Sequence, residues 1–131
     1  MTVVLDTCAG FEIAFKGEKF EKYSEIIEKA EKVIAPTLYD AEVANVLWKY
    51  ARAGYIDEQN AQLTMALLMK LVDSYCDTSE LAVEALHEAI RLNHLVYDLY
   101  YMVLARRNSA VLLSVDEKLK KVCQECGVEV V

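Results

Sequence analysis

Val3-Val4-Leu5-Asp6 near the start of the chain and Val111-Leu112-Leu113-Ser114-Val115-Asp116 near its end share one pattern: a short apolar run that stops on an aspartate. Runs of this kind read as strands buried on both faces, and two more occur between them, at Val33-Ile34-Ala35 and from Ser74 to Asp77. Longer stretches of helical period separate them. The expected order is a strand at 2–5, helices at about 8–15 and 20–32, a short strand at 33–35 stopped by Pro36, and helices at 37–53 and 57–73. A brief strand at 74–77, helices at 79–92 and 98–107, a strand at 111–115, a helix at 117–126 and a last strand at 128–131 complete it. Thr37 and Asp40 read as a capping box, Asp57 as a helix cap, and Gly54 and Gly127 as helix ends. Strands alternating with helices imply a parallel sheet covered on both faces: an α/β fold, a single three-layer α/β/α domain over residues 1–131.

A chain of 131 residues, 55% of them hydrophobic, can build one core without staples, so Cys8, Cys76, Cys123 and Cys126 need not form disulfides. No apolar stretch is long enough to span a bilayer, and Met1-Thr2-Val3 begins no basic-then-apolar leader; a cytoplasmic protein without membrane contact is expected. The net charge of −7 argues against bulk electrostatic attraction to nucleic acid. It leaves room for a metal ion that reverses the field locally. Part of the acidic excess lies between Glu18 and Glu31, where glutamates interleave with Lys19, Lys22 and Lys29 at the spacing of a solvated helix face.

In an open parallel sheet, ligands bind beyond the carboxyl ends of the strands. Asp6 and Asp116 both stand there, so the fold itself brings together residues from opposite ends of the sequence. Glu42 lies near the start of the helical run 38–53, on a stripe with Asn45, Lys49 and Arg52. Asp98 heads Leu99 to Ala105, a helix apolar on every face and therefore buried. Each acid also has a plainer reading. Asp6, Asp98 and Asp116 can be N-caps, and Glu42 can belong to a solvated face. Cap and ligand are compatible roles, and one shared site accounts for all four placements at once. Carboxylates gathered in one place repel one another, and hard divalent cations, which prefer oxygen ligands, relieve that repulsion. Asp6, Glu42, Asp98 and Asp116 are therefore the candidate metal ligands and catalytic residues.

Other chemistry is poorly supported. Cys123-Gln124-Glu125-Cys126 has the spacing of half a zinc site, but no second pair completes it, and helix packing explains it better. His87 and His94 lack a third ligand, and His87 reads as a surface residue. No glycine-rich phosphate loop and no Gly-x-Ser-x-Gly element occurs.

These motifs together resemble the PIN-domain nucleases, most closely the small VapC-type toxins of toxin–antitoxin pairs. The opening Val3-Val4-Leu5-Asp6-Thr7 is similar to the family's first strand, acid and hydroxyl residue. Ala41-Glu42-Val43-Ala44-Asn45-Val46-Leu47, Tyr97-Asp98-Leu99-Tyr100-Tyr101-Met102-Val103-Leu104-Ala105 and Leu113-Ser114-Val115-Asp116-Glu117-Lys118-Leu119 resemble its other three acidic elements. Cys8, Leu99 and Ser114 depart from residues common at those places in the family. The resemblance implies an endoribonuclease dependent on Mg²⁺ or Mn²⁺. Asp6, Glu42 and Asp98 would be its core ligands, Asp116 would complete the site, and Thr7, Asn45 and Ser114 would orient ligands or phosphate. It also implies an RNA substrate, a homodimer and a cognate antitoxin. The alternatives are a PIN-fold interaction module that no longer cleaves, or an RNA-maturation nuclease without an antitoxin. The apolar helix 57–73 is expected to contribute to the homodimer interface or the antitoxin groove.

Overall fold

Alternation along the strands explains the architecture. The computed structural model describes residues 1–131. Its sheet is made of β1 (Thr2–Leu5), β2 (Lys32–Pro36), β3 (Ser74–Cys76) and β4 (Val111–Leu113), in the order β3-β2-β1-β4 and parallel throughout. Successive strand residues point to opposite faces. Val4, Ile34 and Leu112 accordingly pack on one side, while Val3, Leu5, Val33, Ala35, Val111 and Leu113 pack on the other. On the second face lie α1 (Thr7–Ala14), α2 (Phe20–Lys29), α3 (Leu38–Arg52) and α4 (Glu58–Lys70). The first face is covered by α5 (Ala82–Leu92), α6 (Val96–Arg107) and α7 (Glu117–Glu125). This is the three-layer α/β/α domain expected from the alternation of runs.

The central strand β1 pairs Leu5 with Leu113 of β4, and the ladder continues through a 3.2 Å bond from the Asp6 amide to the Leu113 carbonyl. α6 is the helix buried most completely, with Leu99 and Tyr101 through Ala105 all in the core. No helix is long and apolar enough to cross a membrane.

Several boundaries differ from the sequence reading. Pro36 does not stop β2 but is its last residue, paired with Cys76. The expected capping box at Thr37 is absent: Thr37 has helical backbone angles, and its hydroxyl accepts the Thr78 amide instead (3.1 Å). Thr78–Glu80 forms a separate 3-10 turn before α5. The last strand reduces to a bridge between Leu112 and Val130, flanked by bonds such as Ser114 N–H to the Val131 carbonyl (3.1 Å). The Tyr23 hydroxyl is placed between the carbonyls of Ser114 (3.1 Å) and Val131 (3.2 Å), tying α2 to that edge. Gly54 and Gly127 do follow helix ends with positive φ, as their lack of a Cβ permits.

Candidate active site

The strand ends and helix starts place all four acids on one edge of the sheet, but by different means. Asp6 leaves β1 and caps α1: its Oδ1 accepts the amides of Cys8 (2.7 Å) and Ala9 (3.4 Å). Asp116 caps α7, its Oδ1 accepting the Leu119 amide at 3.0 Å. The cap reading therefore holds for both, and it engages only one oxygen of each carboxylate with the backbone.

Asp98 departs from its cap reading. α6 begins two residues earlier than expected, at Val96, with Leu95 in the cap position after the left-handed Asn93 has closed α5. That leaves Asp98 in the first turn, where it accepts no backbone amide. Its Oδ2 lies 2.8 Å from His94 Nε2. An acid in a first turn is still favoured by the helix dipole. Glu42, in the second turn of α3, is held from two sides through a single oxygen: Oε1 accepts the Tyr101 hydroxyl at 2.5 Å and the Thr7 hydroxyl at 3.2 Å.

Electrostatics show that these groups share one region. Burial pushes the Asp6 carboxyl up to about 6, against relief from the Ser114 side chain and the Ala9 and Cys8 amides, and the charge of Asp98 raises it further. Burial also raises Glu42 and Asp98; Asp98 adds to the first effect and Asp116 to the second. Burial first, then all four carboxylates, push the Cys8 thiol up to about 12. Cys8 thus lies within the field of the whole set and stays a thiol at neutral pH, which removes it as a nucleophile.

No three His, Cys, Asp or Glu side chains converge closely enough to form a ready-made protein cage for an ion. The chemistry of the donors nonetheless suits a hard divalent cation. Mg²⁺ is usually held through one or two carboxylates while keeping several waters, rather than by a dedicated protein cage. The second oxygens of Glu42, Asp98 and Asp116 accept no hydrogen bond within the chain.

The supporting residues divide. Thr7 and Ser114 are buried; Thr7 reaches Glu42, and the Ser114 hydroxyl accepts the Asp116 amide at 3.1 Å. Asn45 is exposed and makes no side-chain hydrogen bond; it lies with Glu42, Leu38, Ala41 and Tyr97 around a shallow hollow. Two participants stand outside the set expected from the sequence: His94, set aside there for want of a third ligand, and Tyr101. His94, in the link between α5 and α6 four residues before Asp98, is only 12% exposed on its side chain. Tyr101 is three residues after Asp98, and its polar tip was hidden by the apolar look of the segment. Cys123 is buried in the core and Cys126 is a free thiol beside Arg91.

The family model of the PIN domain matches residues 3–125. The chain belongs to the PIN domain family. It is 30% identical over 124 residues to Ribonuclease VapC3 of Pyrobaculum aerophilum, an alignment covering 91% of this chain and 92% of that protein. The crystal structure of PAE2754 from Pyrobaculum aerophilum superposes with a TM-score of 0.78 at 25% identity, covering 100% of this chain and 92% of the other. VapBC2 from Rickettsia felis, bound to a DNA fragment from its promoter, gives a TM-score of 0.71 at 14% identity, covering 100% of this chain and 98% of the other. VapBC-1 from nontypeable Haemophilus influenzae gives the same score and identity, with coverages of 100% and 97%. The last two likenesses concern the PIN fold alone.

Proposed function

We propose that this PIN domain is a VapC-type endoribonuclease, with Asp6, Glu42, Asp98 and Asp116 as the carboxylates that hold Mg²⁺ or Mn²⁺. The observation that carries the reading is the arrangement of these acids: four carboxylates from β1, α3, α6 and the β4–α7 junction lie within one field, with no basic side chain bonded to Asp6, Glu42 or Asp116. A cluster of buried and half-buried acids with so little cationic compensation is costly unless a cation joins it. When bound, a divalent ion there lowers the pKa of water and offsets charge on a phosphodiester. The chain's part is to hold the acids: the backbone fixes Asp6 and Asp116, His94 fixes Asp98, and Thr7 and Tyr101 fix Glu42. The relative named Ribonuclease VapC3 supports RNA as the substrate.

The partners follow from the same reading. VapBC complexes among the structural relatives support a cognate antitoxin, and the apolar surface of α4 offers it a seat. Of that helix only Leu68 is fully buried, while Leu63 is 62% exposed and faces solvent together with Leu67 and Trp48 of α3. A second apolar stripe, Val83, Leu86 and Ile90 on α5, suits a second copy of the chain. The test is cleavage of a structured RNA pool with Mg²⁺, with chelator, and by Asp98→Asn. Chelation and the substitution should each abolish cutting; cutting that survives both removes the carboxylate mechanism. RNA binding without any cleavage would favour the interaction module.

A further inference from the structure

Among the four carboxylates, three have their engaged oxygen fixed locally. The first turn of its own helix does this for Asp6 and for Asp116, and a residue four positions earlier does it for Asp98. Asp6 also has the Ser114 side chain beside its own first turn, but Glu42 is held wholly by other elements. Its Oε1 takes hydroxyls from Thr7 of α1 and Tyr101 of α6, two oxygens that stand 3.1 Å apart. Tyr101 is 2% exposed, and its ring sits in the core of α6 where a phenylalanine would pack as well. A hydroxyl added at such depth is costly unless it finds a partner, and the one it donates to is Glu42. Because Tyr101 lies three residues beyond Asp98 on the same helix, its bond fixes Glu42 relative to Asp98 across the gap between α3 and α6.

We propose that Tyr101 is the positioning residue of the site: its hydroxyl holds one oxygen of Glu42 so that the other is presented, at a set distance from Asp98, to the divalent cation. This rests on the divalent-cation reading. The Tyr101 hydroxyl is engaged by Glu42 and Thr7. It acts through Glu42, as groups bonded to metal ligands commonly do, and loss of such a group typically weakens metal affinity or activity by about 10–100-fold.

The test is a Mn²⁺ titration of the full chain, followed by the electron paramagnetic resonance signal of free Mn²⁺, on wild type, Tyr101→Phe and Glu42→Gln. Wild type should bind, Glu42→Gln should lose binding, and Tyr101→Phe should bind about tenfold or more weakly. With RNA and saturating Mn²⁺, Tyr101→Phe should lower kcat and leave KM within about twofold, a split that a merely structural role would not give. Thr7→Val, which removes the other donor to the same oxygen, should weaken Mn²⁺ in the same direction and serves if Tyr101→Phe does not fold. Loss in Glu42→Gln with wild-type affinity in Tyr101→Phe overturns the inference and leaves the metal reading intact; if only Thr7→Val folds, wild-type affinity there overturns it. Equal Mn²⁺ uptake by wild type and Glu42→Gln overturns the metal reading, and this inference with it.

Discussion

Asp6→Asn should stabilise the metal-free protein, and the size of the gain can be worked from the burial of one carboxyl. Asp6 is 6% exposed, and burial, the leading cause, lifts its pKa from 3.8 to about 6. A rise of about 2 pK units corresponds to about 3 kcal/mol between the two protonation states. The sign follows from proton counting. Between pH 3.8 and about 6 the folded chain holds a proton that the unfolded chain has released, so stability falls as pH rises through that window. Above it the full penalty is present, and below 3.8 there is none. Asparagine caps a helix as well as aspartate does and keeps an acceptor for the Cys8 and Ala9 amides, so little is lost in exchange. With chelator at pH 8, Asp6→Asn should therefore be more stable by up to about 3 kcal/mol, or roughly 10 °C in melting temperature for a domain of this size. Thermal melts followed by circular dichroism, run at pH 8 and near pH 3.5, measure both ends. Adding millimolar Mn²⁺ should raise wild type and leave the variant where it was. A variant no more stable than wild type at pH 8, or a gain that persists unchanged in acid, would refute the reasoning.

Asp98→Asn should leave the fold intact and reduce RNA cleavage by orders of magnitude, read as product on a denaturing gel, because it removes charge where the cation is held. Glu88 is 4% exposed, shielded less by depth than by Arg91 (2.6 Å) and Arg106 (3.2 Å), and hydrogen bonds from Arg91 first, then Arg106, draw its pKa down to about 2. Its contribution is full above the ordinary value of 4.5 and lost as pH falls toward 2. Glu88→Gln should cost about 1–2 kcal/mol in urea unfolding at pH 7, allowing for the water that reaches the arginines. Sedimentation at micromolar concentration should give a dimer, and Ile90→Glu on the exposed α5 stripe should return it to a monomer of 14.8 kDa.

The sheet and its two helical layers were legible because short apolar runs buried on both faces alternate with longer helical stretches, without long loops between them. Asp6 and Asp116 were legible for the same reason: a residue that ends a parallel strand can be located from the strand alone. Where local reading failed, a distant neighbour had taken over. Thr37 looked like a cap, but its hydroxyl is taken by Thr78, forty-one positions away. Asp98 looks like a cap in the sequence, but Leu95 takes the cap position of α6 and leaves Asp98 in the first turn, bonded to His94. Tyr101 was read as one more apolar position because nothing in its own segment indicates that Glu42 and Thr7 meet its hydroxyl.

The β1–β4 register carries a consequence for how this sequence can drift. Leu5 is paired with Leu113, and the Asp6 amide continues the ladder to the Leu113 carbonyl, so Asp6 lies level with Ser114 by backbone bonding and not by side-chain fit. Exchanges among valine, isoleucine and leucine in these strands alter packing by small amounts and leave the acids where they are. Insertion or deletion of a single residue between Val111 and Asp116 is a different kind of change. It would turn every following side chain of the strand to the opposite face and shift Asp116 against Asp6 at once. In descendants of this chain, substitutions should accumulate freely along β4, while its length stays fixed.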